Sequence, residues 1–161
     1  DHMASDFHIK LAGVEGEAEH KDHKGEIEIH SWGWSVSNAS SAGSGGGSGK
    51  GKAQPGEFVF THDYDKASPT LAKHCVSGKH FDTLVLTCRK SGEGQQEYLK
   101  ITLKEAFITS LNPGGASGGD VVENVTVSYK DVEFTYKPQT GKGGTGGDVK
   151  FGWNVASTET R

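Results

Sequence analysis

Apolar and polar positions alternate along most of this chain. In FHIKLAGV, residues 7–14, Phe7, Ile9 and Leu11 point one way while His8 and Lys10 point the other. A period of two marks a strand buried on one face. FDTLVLTC (81–88) repeats it through Leu84, Leu86 and Cys88. DVKFGWNV (148–155) does so through Val149, Phe151, Trp153 and Val155.

Three longer segments alternate and then slip by one residue. EIEIHSWGWSV (26–36) carries Ile27 and Ile29 on odd positions, then Trp32, Trp34 and Val36 on even ones. EYLKITLKEAFITSL (97–111) runs through Leu99, Ile101 and Leu103, then shifts to Ala106 and Ile108. ENVTVSYKDVEFTYK (123–137) runs through Val125, Val127 and Tyr129, then shifts to Val132, Phe134 and Tyr136. A one-residue slip flips the buried face unless the strand bulges or bends. Three such slips predict strands that turn barrel corners or pass between two packed sheets.

One stretch is helical instead. In DKASPTLAKHCVSGKH (65–80), Ser68 suits an N-cap and Pro69 the first helical position. Leu71, Ala72, Cys75 and Val76 form the apolar stripe, and Gly78 ends the helix. These elements predict a mainly β fold: a compact β-barrel of two packed, mostly antiparallel sheets with one short flanking α-helix.

Glycine-rich runs at 43–51, 112–119 and 141–147 interrupt the strands. The longest belongs to SSAGSGGGSGKGKAQPG (40–56), which reads as a long extended loop inside one domain. Residues 6–36 hold too few strands to fold apart from the rest. A single domain over 6–161 is therefore expected, with DHMAS (1–5) set aside as a cloning scar.

Composition narrows the function classes. The formal charge is −4, which lacks the basic excess that displaces counterions from nucleic-acid phosphates. Two cysteines, Cys75 and Cys88, are too few for a disulfide framework and read as small packed thiols. No apolar run reaches membrane-spanning length. The start of the chain lacks the pattern of a secretory signal.

Candidate chemistry fails motif by motif. Gly46 to Lys52 spells G-x-x-x-x-G-K, but Ala53 stands where a hydroxyl should hold magnesium, and a Gln54-Pro55-Gly56 turn follows. GKGGTG (141–146) leads into a strand where a dinucleotide loop needs a helix. His20, His23 and His30 lie in a stretch that reads as a solvated polar turn. Asp63 and Asp65, before the helix, read as partners of its positive dipole end. Asn124-Val125-Thr126 is a glycosylation sequon of no expected use. Cys75 beside His74 or His80 lacks a nucleophile signature. Trp32, Trp34 and Trp153 lie in phase with aliphatic residues, which favours core packing over a sugar platform. No catalytic, cofactor-binding or metal-binding residue is assigned and no cofactor is expected. Two rivals stand beside an assembly role: a carbohydrate- or ligand-binding β-sandwich, and a hydrolase using His62 and Asp63.

Six blocks in order carry a resemblance over about Phe7 to Val155: FHIKLAGVEGEAEHKDHKGEIEIHSWGW, DKASPTL, CVSGKHF, EYLKITLKEAFITS, ENVTVSYKDVEFTYKPQ and KFGWNV. They resemble the Hcp (haemolysin-coregulated protein) family, the tube proteins of bacterial type VI secretion systems. Many members read W-S-W-G where this chain has Trp32-Gly33-Trp34-Ser35. The resemblance implies hexameric rings that stack into a secreted tube and carry or chaperone effectors in the lumen. It implies as partners the chain itself, the type VI sheath, spike and baseplate proteins, and secreted effectors. Neither nucleic acid nor membrane insertion is implied. It places the protein in the bacterial cytoplasm before firing, and in the extracellular space or a target cell afterwards, without a cleaved signal peptide. By the same resemblance, Ser31, Ala116 and Ser117 face the lumen. The loop residues Gly45, Gly46, Gly47, Lys50 and Lys52 contribute to ring stacking.

Overall fold

The computed structural model describes residues 5–39, 52–90, 96–138 and 147–161. In chain order its elements are β1 (Ser5–Leu11), β2 (Ile27–Ile29), β3 (Ser31–Gly33), β4 (Val36–Asn38), β5 (Ala53–Pro55), β6 (Phe58–Asp63), α1 (Ser68–Ser77), β7 (Phe81–Lys90), β8 (Glu97–Gly114), β9 (Val122–Ser128), β10 (Asp131–Tyr136), β11 (Val149–Asn154) and β12 (Glu159–Thr160). One ladder runs β12-β11-β10-β8-β7-β1-β2, and a second runs β3-β6-β9-β8. Every pairing is antiparallel.

The three parity slips are the places where the chain changes sheet. β2 pairs with β1, but after His30 the chain joins β6, with Ser31 opposite Thr61. β8 pairs with β7 and β10 up to Ala106, and from Phe107 onward with β9. Glu105, at φ 50°, makes that bend; a left-handed backbone is unusual for a residue with a Cβ and puts strain at the corner. The third slip falls between β9 and β10, where the Lys130 N–H donates to the Lys104 carbonyl at 3.0 Å.

Both sheets turn apolar side chains onto one core. Ile9, Ile27, Leu84, Leu86, Ile101 and Leu103 come from the first sheet, and Phe58, Phe60, Ile108, Val125 and Val127 from the second. Each such side chain contributes about 1.5–3 kcal/mol when fully buried. The expected barrel needs one correction. Among the described residues the ladders share β8 but do not return on themselves, so β2 and β3 are joined by the chain at His30 rather than by pairing. The barrel closes by packing.

The helix spans the expected residues with a different start. Ser68 is not the cap: Ala67 occupies that position and Ser68 lies buried in the first turn. Its hydroxyl accepts the Asp65 N–H at 3.1 Å, while Asp65 Oδ1 accepts the Ala67 N–H at 2.9 Å. The packed face is Leu71, His74 and Cys75, with the His74 ring stacked on Phe81 at 3.9 Å. Val76, assigned to the stripe, is 89% exposed. Gly78, at φ 71°, ends the helix as expected.

Alternation is correct in phase but overstates burial at the sheet ends. Tyr136, Val149 and Phe151 continue the inward rows past the core and are exposed. Val36 is exposed as well, because β4 pairs with β5 in a separate two-stranded ribbon. At the start of β1, Ser5 already pairs with Lys90 and shares a hydrogen bond with the Tyr98 hydroxyl at 2.9 Å.

Candidate functional site

The outward face of the second sheet is assembled from small side chains. Register sets Ser31 opposite Thr61, Thr61 opposite Asn124, and Asn124 opposite Asn112. The neighbouring row is Gly33, Val59, Thr126 and Ser110. Two rows across four strands therefore present hydroxyls, amides, one glycine and one valine, with no charge. The Ser31 and Thr61 hydroxyls hydrogen-bond at 2.6 Å. At Gly33, a Cβ would sit 3.4 Å from Val59 Cγ2, the valine of this row.

Of the three lumen candidates, Ser31 is exposed at one end of the first row. Ala116 and Ser117 are exposed on the turn between β8 and β9, which the Gly119 N–H closes onto the Ala116 carbonyl at 3.0 Å. The row Asp63, Val122 and Gly114 lies between that turn and the Ser31 row. The fold thus brings all three candidates toward one end of the same sheet, without contact between Ser31 and the other two. Thr61 and Asn112 were not singled out from sequence, and Asn124 only as part of a glycosylation sequon of no expected use. The signal available was the polar half of the alternation in β6 and β9.

Lys52 is exposed directly before β5. Gly45, Gly46, Gly47 and Lys50 lie outside the described residues. The base of this arm is the β4–β5 ribbon, with Val36 opposite Pro55 and Asn38 opposite Ala53. It is tied down where Tyr129 donates to the Gly56 carbonyl at 2.7 Å and accepts the Trp34 indole N–H at 2.5 Å. Burial raises the Tyr129 phenol above its ordinary range.

The rival constellations come apart. His62 is fully buried and its Nε2–H donates to buried Glu123 at 2.8 Å, whereas Asp63 is exposed and accepts from His30 at 2.8 Å. Adjacent residues on a strand face opposite ways, so His62 and Asp63 share no site. Asp65 serves the start of the helix, and burial raises its carboxyl above the usual range. The tryptophans offer no platform. Trp153 is buried, Trp32 packs against Phe7 and Phe58, and Trp34 packs against Phe134 at 4.9 Å. Cys75 and Cys88 are both free thiols.

One expectation needs reversal. His20 and His23 do not lie in a solvated turn. His23 is buried against His8, and His20 is half-buried against Arg89. Among the described residues, no group of three or more His, Cys, Asp or Glu side chains is arranged to hold a metal ion. No described helix is long and apolar enough to cross a membrane.

Two packed sheets, two uncharged outward rows and a tethered two-stranded ribbon define a β-sheet module suited to assembly through its surfaces. Residues 8–136 match the protein family described as "Type VI secretion system effector, Hcp". Protein hcp1 of Pseudomonas aeruginosa is 50% identical over 156 residues, covering 95% of this chain and 96% of that protein. Hcp1 from Salmonella typhimurium superimposes with a TM-score of 0.83 at 32% identity, over 99% of this chain and 100% of that one. A structure described as a type six secretion system protein reaches a TM-score of 0.92 at 30% identity, over 98% and 100%. The chain belongs to the Hcp family of type VI secretion proteins.

Proposed function

We propose that six copies of this chain close into a ring, and that rings stack into the inner tube of a type VI secretion system. The supporting observation is the two-row polar face of the second sheet. Its two rows carry no charged side chain, as suits the wall of a channel through which a protein surface must pass without sticking. Each subunit then meets the next through two different surfaces, a heterologous contact that closes by rotation. A stable contact of this kind buries on the order of 1,600 Å².

Ser31, Ala116 and Ser117 face the lumen on this reading, where effectors are carried. The arm that includes Gly45, Gly46, Gly47, Lys50 and Lys52 reaches the neighbouring ring. The sheath, spike and baseplate act on the tube from outside. The subunit waits in the bacterial cytoplasm, then leaves with the tube for the extracellular space or a target cell, and needs no cleaved signal. No catalytic step is assigned to it. Native mass spectrometry with negative-stain microscopy tests the reading. Hexamers and ring projections are expected, and a monomer at micromolar concentration overturns it.

A further inference from the structure

Residues 12–26 leave β1 and reverse: Val14 packs against the edge of the core and Ala18 is buried, while His20 and His23 cover the side of the first sheet that faces away from the core. Backbone bonds between its two arms shape this segment. Gly16 N–H donates to the Gly25 carbonyl at 2.7 Å, Ala18 to Glu26 at 2.9 Å, and Gly25 to Ala18 at 3.0 Å. Beneath it lies His8, whose neighbour Ile9 points into the core. His8 alternates outward as the sequence predicts, yet is only 3% exposed.

The cover is made of like groups. The His8 ring stacks on His23 at 4.6 Å with 6° between planes, and His20 sits 6.1 Å from His8 and 5.8 Å from His23. Buried Arg89 of β7 donates through Nη1 to the His20 imidazole and through Nη2 to Asp6 at 3.1 Å. His23 is held between Glu26 at 3.0 Å and Glu97 at 3.1 Å. Across the sheet, His8 is flanked by Glu28 of β2 and Thr87 of β7, with Asp6 and Lys10 two residues away on its own strand. His8 Nδ1 and Arg89 Nε are buried with no hydrogen-bond partner among the described residues. A proton arriving at His8 therefore meets His20, His23 and Arg89 with no acceptor at Nδ1.

We propose that residues 12–26 are a proton-operated strap: protonation of His8 releases the segment from the first sheet while the two-sheet core stays folded. With the strap closed, burial, then His23, Arg89 and His20, lower the His8 imidazole from 6.5 to about 4 against the pull of Asp6. Released, it returns toward its ordinary value. The released form binds the proton more tightly, so acid favours release. The effect begins as the pH falls below about 6.5 and is complete near 4.

The strap also touches the site. Glu17 and Ala18 form one wall of a hollow of about 330 Å³ whose other wall includes Ile29, His30 and Asp63. Ser31 follows directly, so release of the strap frees the corner that carries it. Loosening of a cargo-facing edge in acid rests on the ring proposal above. Release of the strap does not.

Hydrogen exchange of the full chain, read by mass spectrometry between pH 7 and 4 and corrected for intrinsic rates, tests this. Peptides covering 12–26 should exchange about tenfold faster or more at the acid end, since each pKa unit is a factor of ten. Peptides covering 84–86 and 101–103 should stay protected. His8→Gln should flatten the response of the strap. Exchange of 12–26 that ignores pH, that rises only together with the core, or that keeps the same profile in His8→Gln overturns the proposal. If His8→Gln does not fold, NMR titration of the wild-type His8 ring decides. A midpoint near 4 that coincides with strap exchange supports the proposal, and one near 6.5 with the strap still closed overturns it. Native mass spectrometry at neutral pH reports on ring formation separately.

Discussion

His62 and Glu123 face each other across β6 and β9 as a hydrogen-bonded pair, 2.8 Å apart, with 0% and 2% exposure. Removing one partner leaves a buried polar group without its hydrogen bond, which typically costs about 1–3 kcal/mol. Glu123→Ala should lose stability in that range by urea denaturation, and Glu123→Gln should lose less because it can still accept the bond. Equal midpoints for Glu123→Ala and the wild type would show that the pair contributes nothing.

Arg161 grips Asp131 through two guanidinium nitrogens, at 2.9 and 2.7 Å, and its backbone pairs with Gly152. The hydrogen bond from Arg161 holds the Asp131 carboxyl below its usual range, although burial opposes it. A carboxyl lowered in the folded state adds stability above its unfolded value of about 3.9, and that stability is lost as pH falls through the folded value. Arg161→Ala should therefore be less stable than wild type at pH 7, and the gap should narrow below about pH 4. Thermal melts across pH check both halves. A constant gap would move the effect from the ion pair to packing over Gly152.

Thiol reactivity should split between the two cysteines. The thiolate is the reactive form, and burial pushes the Cys88 thiol up to about 12. Cys88 is fully buried, whereas Cys75 is partly open on α1. Iodoacetamide at neutral pH should label Cys75 in the native protein and Cys88 only after denaturation. Native labelling of Cys88 at a comparable rate would mean that the sheet over it opens readily.

How much of this was legible in the sequence depends on whether a partner is near in the chain. Ile9, Leu84 and Ile101 announce their burial because alternation is local. The slips at His30, Glu105 and Lys130 announced bends, but which sheets the chain joins depends on pairings far apart in sequence. His8 misled for the same reason: its own strand turns it outward, and its cover comes from His20 and His23 after a reversal of the chain. Ser68 looked like a cap because the residue type fits, but the cap falls one residue earlier at Ala67 and the Ser68 hydroxyl accepts the Asp65 N–H instead. The row Ser31, Thr61, Asn124 and Asn112 exists only through registers among four strands, so no single stretch displays it.

The arm should depend on Gly56. A Cβ there would lie 2.5 Å from the Ser35 carbonyl oxygen, and the Gly56 N–H donates to that same carbonyl at 2.8 Å. Backbone must move to admit alanine, and such overpacking typically costs about 1–3 kcal/mol. Gly56→Ala should lose stability in that range and loosen the β4–β5 ribbon, read as faster exchange at Gln54. If the ribbon serves stacking, rings should persist in this variant while tubes shorten in electron micrographs. Tubes of normal length would confine the ribbon to a spacer role.

Asn124 offers the most direct test of the polar face. Its side chain is exposed between Thr61 and Asn112, and its neighbours Glu123 and Val125 are buried. A substitution at this position therefore changes the surface without entering the core, and surface changes of this kind usually alter stability by less than about 0.5 kcal/mol. Asn124→Trp should leave the melting temperature and the ring intact. If six copies line a channel as proposed, it adds apolar bulk to a wall whose two rows are otherwise small and uncharged. Retention of a co-expressed effector by the purified ring should fall, whereas Asn124→Ser, which keeps a small polar group, should retain it. If the tryptophan variant keeps normal retention in intact rings, this face does not touch cargo. If it abolishes rings without unfolding the subunit, the face lies between subunits instead.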